Sequence, residues 1–414
     1  MWGMAAADAR SASPHAPLGL VLLLGALTAF PAMSIDMYLP SLPTLARDLH
    51  ATAGQAQLTV AAFFTGLALG QLVYGPWSDR VGRRPPLLIG VAVYVAASIG
   101  CVLAPSVEAL IGLRFLQALG ACAGSVIARA AVRDRYEGHE MVHVFSLLML
   151  VMGLAPVLAP FLGGALLLVG SWRLIFAVLA LLGSLIGVAV ILRLQETRAP
   201  ATAEQARSES PAAAYLALLA RREVAAYLLA GALSGAALFT YIANAPDLLI
   251  VTYGVPAQAF GWVFAANAIG LIGGAQVNAR LARTTPSAVI LRRALAVATV
   301  FAVALAATAW TGWGGLAGVL VPTFGVIATM GFTQPNATAC AMGVDARRGG
   351  STSALIGAAG FGVGAVSAGI ASAVHDGTAR PMAAMILVAL VLGQGALALL
   401  TRGSDAAVSP AVRA

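Results

Sequence analysis

The chain has no lysine: all 24 of its basic residues are arginine. A phosphate-cradling G-x-x-x-x-G-K-[ST] loop needs that lysine, so the chain carries no P-loop ATPase of its own. Charge of either sign is scarce, at 10% of 414 residues, where soluble domains average about 25%. Cysteine is scarcer still. Cys101, Cys122 and Cys340 lie far apart in apolar runs with no C-x-x-C spacing, which argues against a disulfide framework or a metal site. His139 and His143 stand four apart beside Glu140, a lone pair among arginines and no metal signature. No Ser/His/Asp or Cys/His set falls at one depth, so no catalytic residues are expected and the chain does not read as an enzyme.

Hydrophobic residues fill the space, at 60% of the chain and a mean hydropathy of +0.90. The apolar runs are long enough to cross a bilayer as helices of roughly 20 residues. Barrel strands would alternate with period two, and these runs do not. The net charge of +8 does not point to nucleic acid, because the arginines lie in short loops between apolar runs. The run from Leu18 to Ile35 is too long for a typical signal-peptide core and a second run follows it, so it reads as an uncleaved first span.

Twelve spans are predicted: Leu18–Tyr38, Gln55–Trp77, Pro86–Ala104, Val107–Ile127, Met141–Val169, Arg173–Leu194, Val224–Val251, Ala257–Ala279, Ala288–Trp310, Trp313–Met342, Ser351–Val374 and Pro381–Thr401. Arginine tests this layout. Only Arg47, Arg173 and Arg380 fall in the even-numbered loops and Arg114 inside a span; the other twenty lie in odd-numbered loops and termini. The positive-inside rule then places both termini in the cytoplasm. The expected organisation is a cytoplasmic N-terminus (1–17), a six-helix half (18–194), a central cytoplasmic loop (195–223), a second six-helix half (224–401) and a cytoplasmic C-terminus (402–414). Two such halves predict a repeat-built transporter with its substrate cavity between them. Asp247 sits near the outer end of the seventh span as Asp36 does in the first, and Gly274–Arg280 follows the eighth span where Gly75–Arg80 follows the second.

Four features could carry function. Asp36 is an ionisable group near the end of an apolar span, a costly position; it either takes and releases a proton or is a hydrogen-bonded interfacial residue. Arg114, in the fourth span, cannot lose its proton and lies at similar depth, so the two are plausible partners in a proton switch; alternatively Arg114 snorkels or bonds carbonyls. Gly75, Asp79, Arg80, Gly82, Arg83 and Arg84 form a charged turn after the second span. Asp79 is expected to dock on the N-terminus of the eleventh span at Ser351-Thr352-Ser353, latching the two halves; the alternative is topology alone. Gly153, Pro156, Pro160, Gly163 and Gly164 mark a bent, close-packed fifth span. Met37, Tyr38, Phe63, Gln117, Tyr241 and Asp247 are candidate cavity residues, or else core or lipid-facing ones.

The turn matches G-x-x-x-D-R-x-G-R-R, and with the layout it resembles the major facilitator superfamily. Arg114, Gln117 and Gly120 are similar to that superfamily's fourth-span R-x-x-Q-G-x-G, with Ala118 in place of a glycine. Ala159-Pro160 followed by Gly163-Gly164 resembles its antiporter motif, with Ala159 in place of glycine. Asp36-Met-Tyr-Leu-Pro40, Gln57-Leu58-Thr59 and Leu154-Ala-Pro156 resemble the Bcr/CflA group of drug:proton antiporters, which includes bicyclomycin and chloramphenicol-type exporters. The resemblance implies an all-α, twelve-helix major facilitator fold in the bacterial inner membrane. It implies proton-driven efflux of small amphipathic drugs, with Asp36 carrying the proton and Arg114 coupled to it. The proton gradient supplies the energy, so no cofactor is expected. The expected partners are a drug or metabolite, protons and membrane lipid, with no nucleic acid, and the expected state is a monomer.

Overall fold

The computed structural model describes residues 18–198, 204, 210–345 and 348–401. The termini 1–17 and 402–414, and much of the central loop, lie outside the described residues. Among the described residues twelve helices are long and apolar enough to cross a membrane, and no strand occurs.

The first half comprises α1 (Leu18–Asp36), a 3-10 turn (Leu39–Ser41), α2 (Leu42–Asp48), α3 (Ala53–Val81), α4 (Arg84–Leu103), α5 (Val107–Arg135), α6 (Gly138–Val169) and α7 (Trp172–Arg193). A short α8 (Pro211–Leu219) precedes the second half: α9 (Arg222–Pro246) running into a π turn (Asp247–Thr252), α10 (Phe260–Leu281), α11 (Ser287–Thr311), α12 (Gly315–Val344), α13 (Gly349–Ala373) and α14 (Arg380–Leu400). The first span is therefore α1 continued by the turn and α2, because Pro40 and Pro43 re-aim the chain after Asp36. Thr52 starts α3 with a reciprocal capping box to Gln55, which satisfies two backbone donors of the first turn.

The charged motif is not a turn, as the sequence suggested. Gly75 to Val81 continue α3, and the chain reverses only at Gly82 and Arg83. Hydropathy ends a span where the apolar run ends, whereas the helix ends where Gly82 adopts φ +108°, a conformation that side chains resist. A Cβ there would also lie 2.6 Å from the Glu196 carboxylate. For the same reason α5 outruns its apolar stretch by eight residues, to Arg135.

Two seams join the halves: α3 packs on α13, and α6 on α10. Small residues make both approaches possible. A Cβ on Gly54 would meet the Ser372 carbonyl oxygen at 2.5 Å, and one on Gly357 the Gln71 side chain at 2.8 Å. Towards the arginine-rich end α3 and α13 part, and a cavity of about 530 Å³ separates Gly75 and Asp79 from Ser351 and Ala354. At the opposite end the seam is shut by the Gly54–Ser372 approach and by α2 against the π turn.

Candidate functional site

Arg114 is fully buried in α5. Its Nη1 donates to the Ser34 carbonyl at 3.0 Å and to Gln117 Oε1 at 2.6 Å. Its guanidinium carbon lies 4.2 Å from the ring centre of Phe63, 4.6 Å from that of Tyr38 and 5.6 Å from that of Phe176. Aromatic faces attract a cation most when it is desolvated, so this cage offsets part of the cost of burying the charge. Hydrogen bonds extend the site across three spans. Gln117 donates to Ser98 at 2.8 Å, Ser98 to the Tyr94 carbonyl at 2.7 Å, and the hydroxyls of Tyr94 and Ser34 share a 2.7 Å bond. Nε and Nη2 of Arg114, and both amide atoms of Gln57 in α3, are buried without a hydrogen-bond partner among the described residues.

Asp36 is 5% exposed, at the last position of α1. The expected Asp36–Arg114 ion pair is not formed among the described residues. Arg114 reaches the first span at Ser34, and two residues further on a helix turns the side chain by about 200°. Equal depth did not bring equal facing. Met37, Tyr38, Phe63, Gln117 and Tyr241 are each at most 2% exposed, and none lines the 530 Å³ cavity. Tyr38 and Phe63 wall the arginine, and the Tyr38 hydroxyl bonds Thr59 at 2.5 Å. Tyr241 stacks on Phe264 and accepts from Asn267 at 3.0 Å. Asp247 is also outside the cavity. It pairs with His375 at 2.9 Å, a residue the sequence reading passed over. The bond to Asp247 raises the His375 pKa against a smaller lowering by burial.

Below the arginine-rich ends of α3 and α5 lies a second cluster. Arg83 grips Asp134 with two bonds, Nε at 2.7 Å and Nη2 at 3.2 Å, and its Nη1 bonds Asp79 and Ser78 Oγ. Asp79 therefore meets Arg83, and the cavity lies between its helix and the start of α13, where docking was expected. Thr352 instead donates to the Arg348 carbonyl within its own helix. Glu196 accepts from the backbone N–H of Arg83 at 2.8 Å and of Arg84 at 3.1 Å. Partial burial pushes the Glu196 carboxyl up, but N–H groups of Arg83, Arg198, Arg84 and Thr197 outweigh it and hold the group below the usual range. Arg198 caps α3 through the Arg80 carbonyl, and Arg84 caps α7 through the Ile191 carbonyl at 2.8 Å, filling acceptors that a helix end leaves open. Asp134 and Glu196 were missed in the sequence. The signal for Asp134 was an acid within an arginine-rich helix end; Glu196 lies three residues past the end of α7, between Arg193 and Arg198.

The fifth-span residues sit in α6, which runs unbroken through Pro156 and Pro160. Gly163 lies against the Met37 carbonyl of the first span; Gly164 lies against Ala257, and Gly153 against Ile272, both of the second half. The helix is thus packed on both sides through positions without side chains.

The Major Facilitator Superfamily model matches residues 22–369. An uncharacterised MFS-type transporter, YdgK, of Bacillus subtilis is 35% identical over 93% of this chain and 96% of its own. A bicyclomycin resistance protein homologue of Haemophilus influenzae is 32% identical over 87% of this chain and 91% of its own. A chloramphenicol resistance protein of Pseudomonas aeruginosa is 33% identical over 90% of this chain and 89% of its own.

Proposed function

The chain belongs to the Major Facilitator Superfamily, and from that premise we propose that it exports small amphipathic drugs of the bicyclomycin and chloramphenicol kind in exchange for protons. The observation that carries this reading is near full-length similarity to relatives named for resistance to those two drugs. The multi-pass chain then sits in the bacterial inner membrane as a monomer among its lipids, with the arginine-rich face and both termini in the cytoplasm. Its halves, 18–194 and 224–401, rock about the α3/α13 and α6/α10 seams around the central loop 195–223, and the cavity opens to each side in turn.

Asp36 is the proton carrier in this reading. An acid that is 5% exposed and without an ion pair among the described residues is expensive to ionise at membrane depth, so its charge changes when the cavity brings it to water. Arg114 keeps its charge throughout and biases that exchange from the neighbouring span through a fixed field. Arg83, Asp79 and their neighbours hold the cytoplasmic end of the first half together. Export of a charged metabolite is the second reading, favoured by the arginines that line the cavity.

The test is drug-driven proton release from acid-loaded inverted vesicles, followed by dequenching of a pH-sensitive dye. Wild type releases protons on adding bicyclomycin or chloramphenicol, and Asp36→Asn does not. A folded wild type that gives no signal with either drug sinks the drug assignment. A full signal from Asp36→Asn removes Asp36 as carrier.

A further inference from the structure

The cavity at the arginine-rich end is lined by more cations than anions. Its two acids are Asp79 and Asp134, and both are bound to Arg83. Arg80 and Arg348 also line it, Arg348 in an ion pair with Asp345 at 3.4 Å, and α5 contributes Arg129 and Arg133. These last two stand one helical turn apart. Among the described residues neither makes an ion pair or a side-chain hydrogen bond. Like charges at this spacing repel on a helix surface. Arg129 is also partly buried and six residues inside the end of α5, beyond the last turn where the helix dipole favours a cation. Val126 and Ala130 of the same helix and Phe145 of α6 also line it, which gives the same cavity an apolar wall. Its volume, about 530 Å³, falls within the range of small-molecule sites.

We infer that this transporter takes amphipathic anions: an apolar body against Phe145 and Val126, with a carboxylate, sulfonate or phosphate seated between Arg129 and Arg133. A guanidinium pair suits such groups because each can donate two parallel bonds to them. The inference rests on the export reading above and narrows its substrate class. A lipid phosphate offers the same charge chemistry, and the test separates the two sources.

The protein is placed in phosphatidylcholine nanodiscs and titrated calorimetrically with chloramphenicol and with chloramphenicol succinate, which shares the body and adds one carboxylate. The ester should bind about tenfold tighter or better, as one charge-assisted contact allows. Arg129→Gln and Arg133→Gln should bring that ratio towards one, and Arg129→Lys should keep most of it. Cysteine-dye unfolding confirms that each variant is folded. Equal binding of the two compounds by wild type overturns the inference, as does a ratio that survives the double Gln variant, or no binding of either compound. An Arg129-dependent effect seen only on adding phosphatidylglycerol marks a lipid site and also overturns it. Arg129-dependent ester binding with no proton release by either compound in vesicles leaves the anion site standing and sinks the export reading. Proton release without any preference for the ester sinks the anion site alone.

Discussion

Arg83 holds two carboxylates at once, and the structure ranks them. Asp134 is the buried one, its side chain 9% exposed, while Asp79 is 38% exposed. Replacing Arg83 by Met leaves the Asp134 charge buried without its bidentate partner, a loss of about 3–5 kcal/mol for breaking a buried pair. Replacing Asp79 by Asn removes a partner already screened by water and costs about 0–1 kcal/mol. The pair Arg83→Met and Asp134→Leu together removes both buried charges and should recover much of the single-mutant loss, a coupling that distant sites never show. Thermal unfolding in detergent reads this directly, using a thiol dye that reacts when buried Cys101 and Cys122 become accessible. The expected order of midpoints is wild type, then Asp79→Asn close behind, then the double variant, with Arg83→Met lowest. If Asp79→Asn falls as far as Arg83→Met, or if the Arg83 and Asp134 changes simply add, the ranking by burial is refuted.

Three further outcomes test other parts of the fold. Gly163→Val drives a side chain into the Met37 carbonyl, a backbone atom that cannot swing aside; it should abolish a monodisperse product or cut drug-driven proton release at least tenfold or so, whereas Gly153→Ala, 3.7 Å from Ile272, should be tolerated. Because Asp247 raises the His375 pKa above its ordinary 6.5, the stability this pair adds is full below that value and is lost as pH rises through the folded value. The midpoint gap between wild type and His375→Gln should therefore be widest in mildly acidic buffer and close in alkaline buffer; a constant gap counts against the pair. Glu196 has the opposite sign. Its folded pKa lies below the ordinary 4.5, so its contribution is present above that value and fades in acid, and the gap to Glu196→Gln should shrink as pH falls.

Much of the fold was legible because its signals are one-dimensional. Apolar runs counted out twelve spans, and a long polar segment at 195–223 marked the middle of the chain. Arg114 and Arg83 also stood out, since a lone cation in an apolar run and a dense charged motif are conspicuous. Partners were harder to read. Arg114 is held by Phe63, Tyr38 and Phe176, which in sequence look like any other core residues. Asp36 was matched to it by depth, but azimuth around the helix decides contact. Asp79 was assigned to α13 because both lie at one end, while a nearer cation four residues on already occupied it. Glu196 and His375 stand far along the chain from Arg83 and Asp247, and only the folded topology brings them together.

Arg129 and Arg133 of the cavity carry a consequence in voltage. A membrane potential, negative inside, is worth about 2.3 kcal/mol per elementary charge per 100 mV. A neutral drug leaving against one entering proton draws on that potential once per cycle. An anion leaving against the same proton draws on it twice, because negative charge moves outward as positive charge moves inward. A cavity whose arginines select an acidic cargo thereby makes the electrical gradient the larger share of the driving force, and collapsing the potential alone should slow export of the acid more than export of its neutral parent.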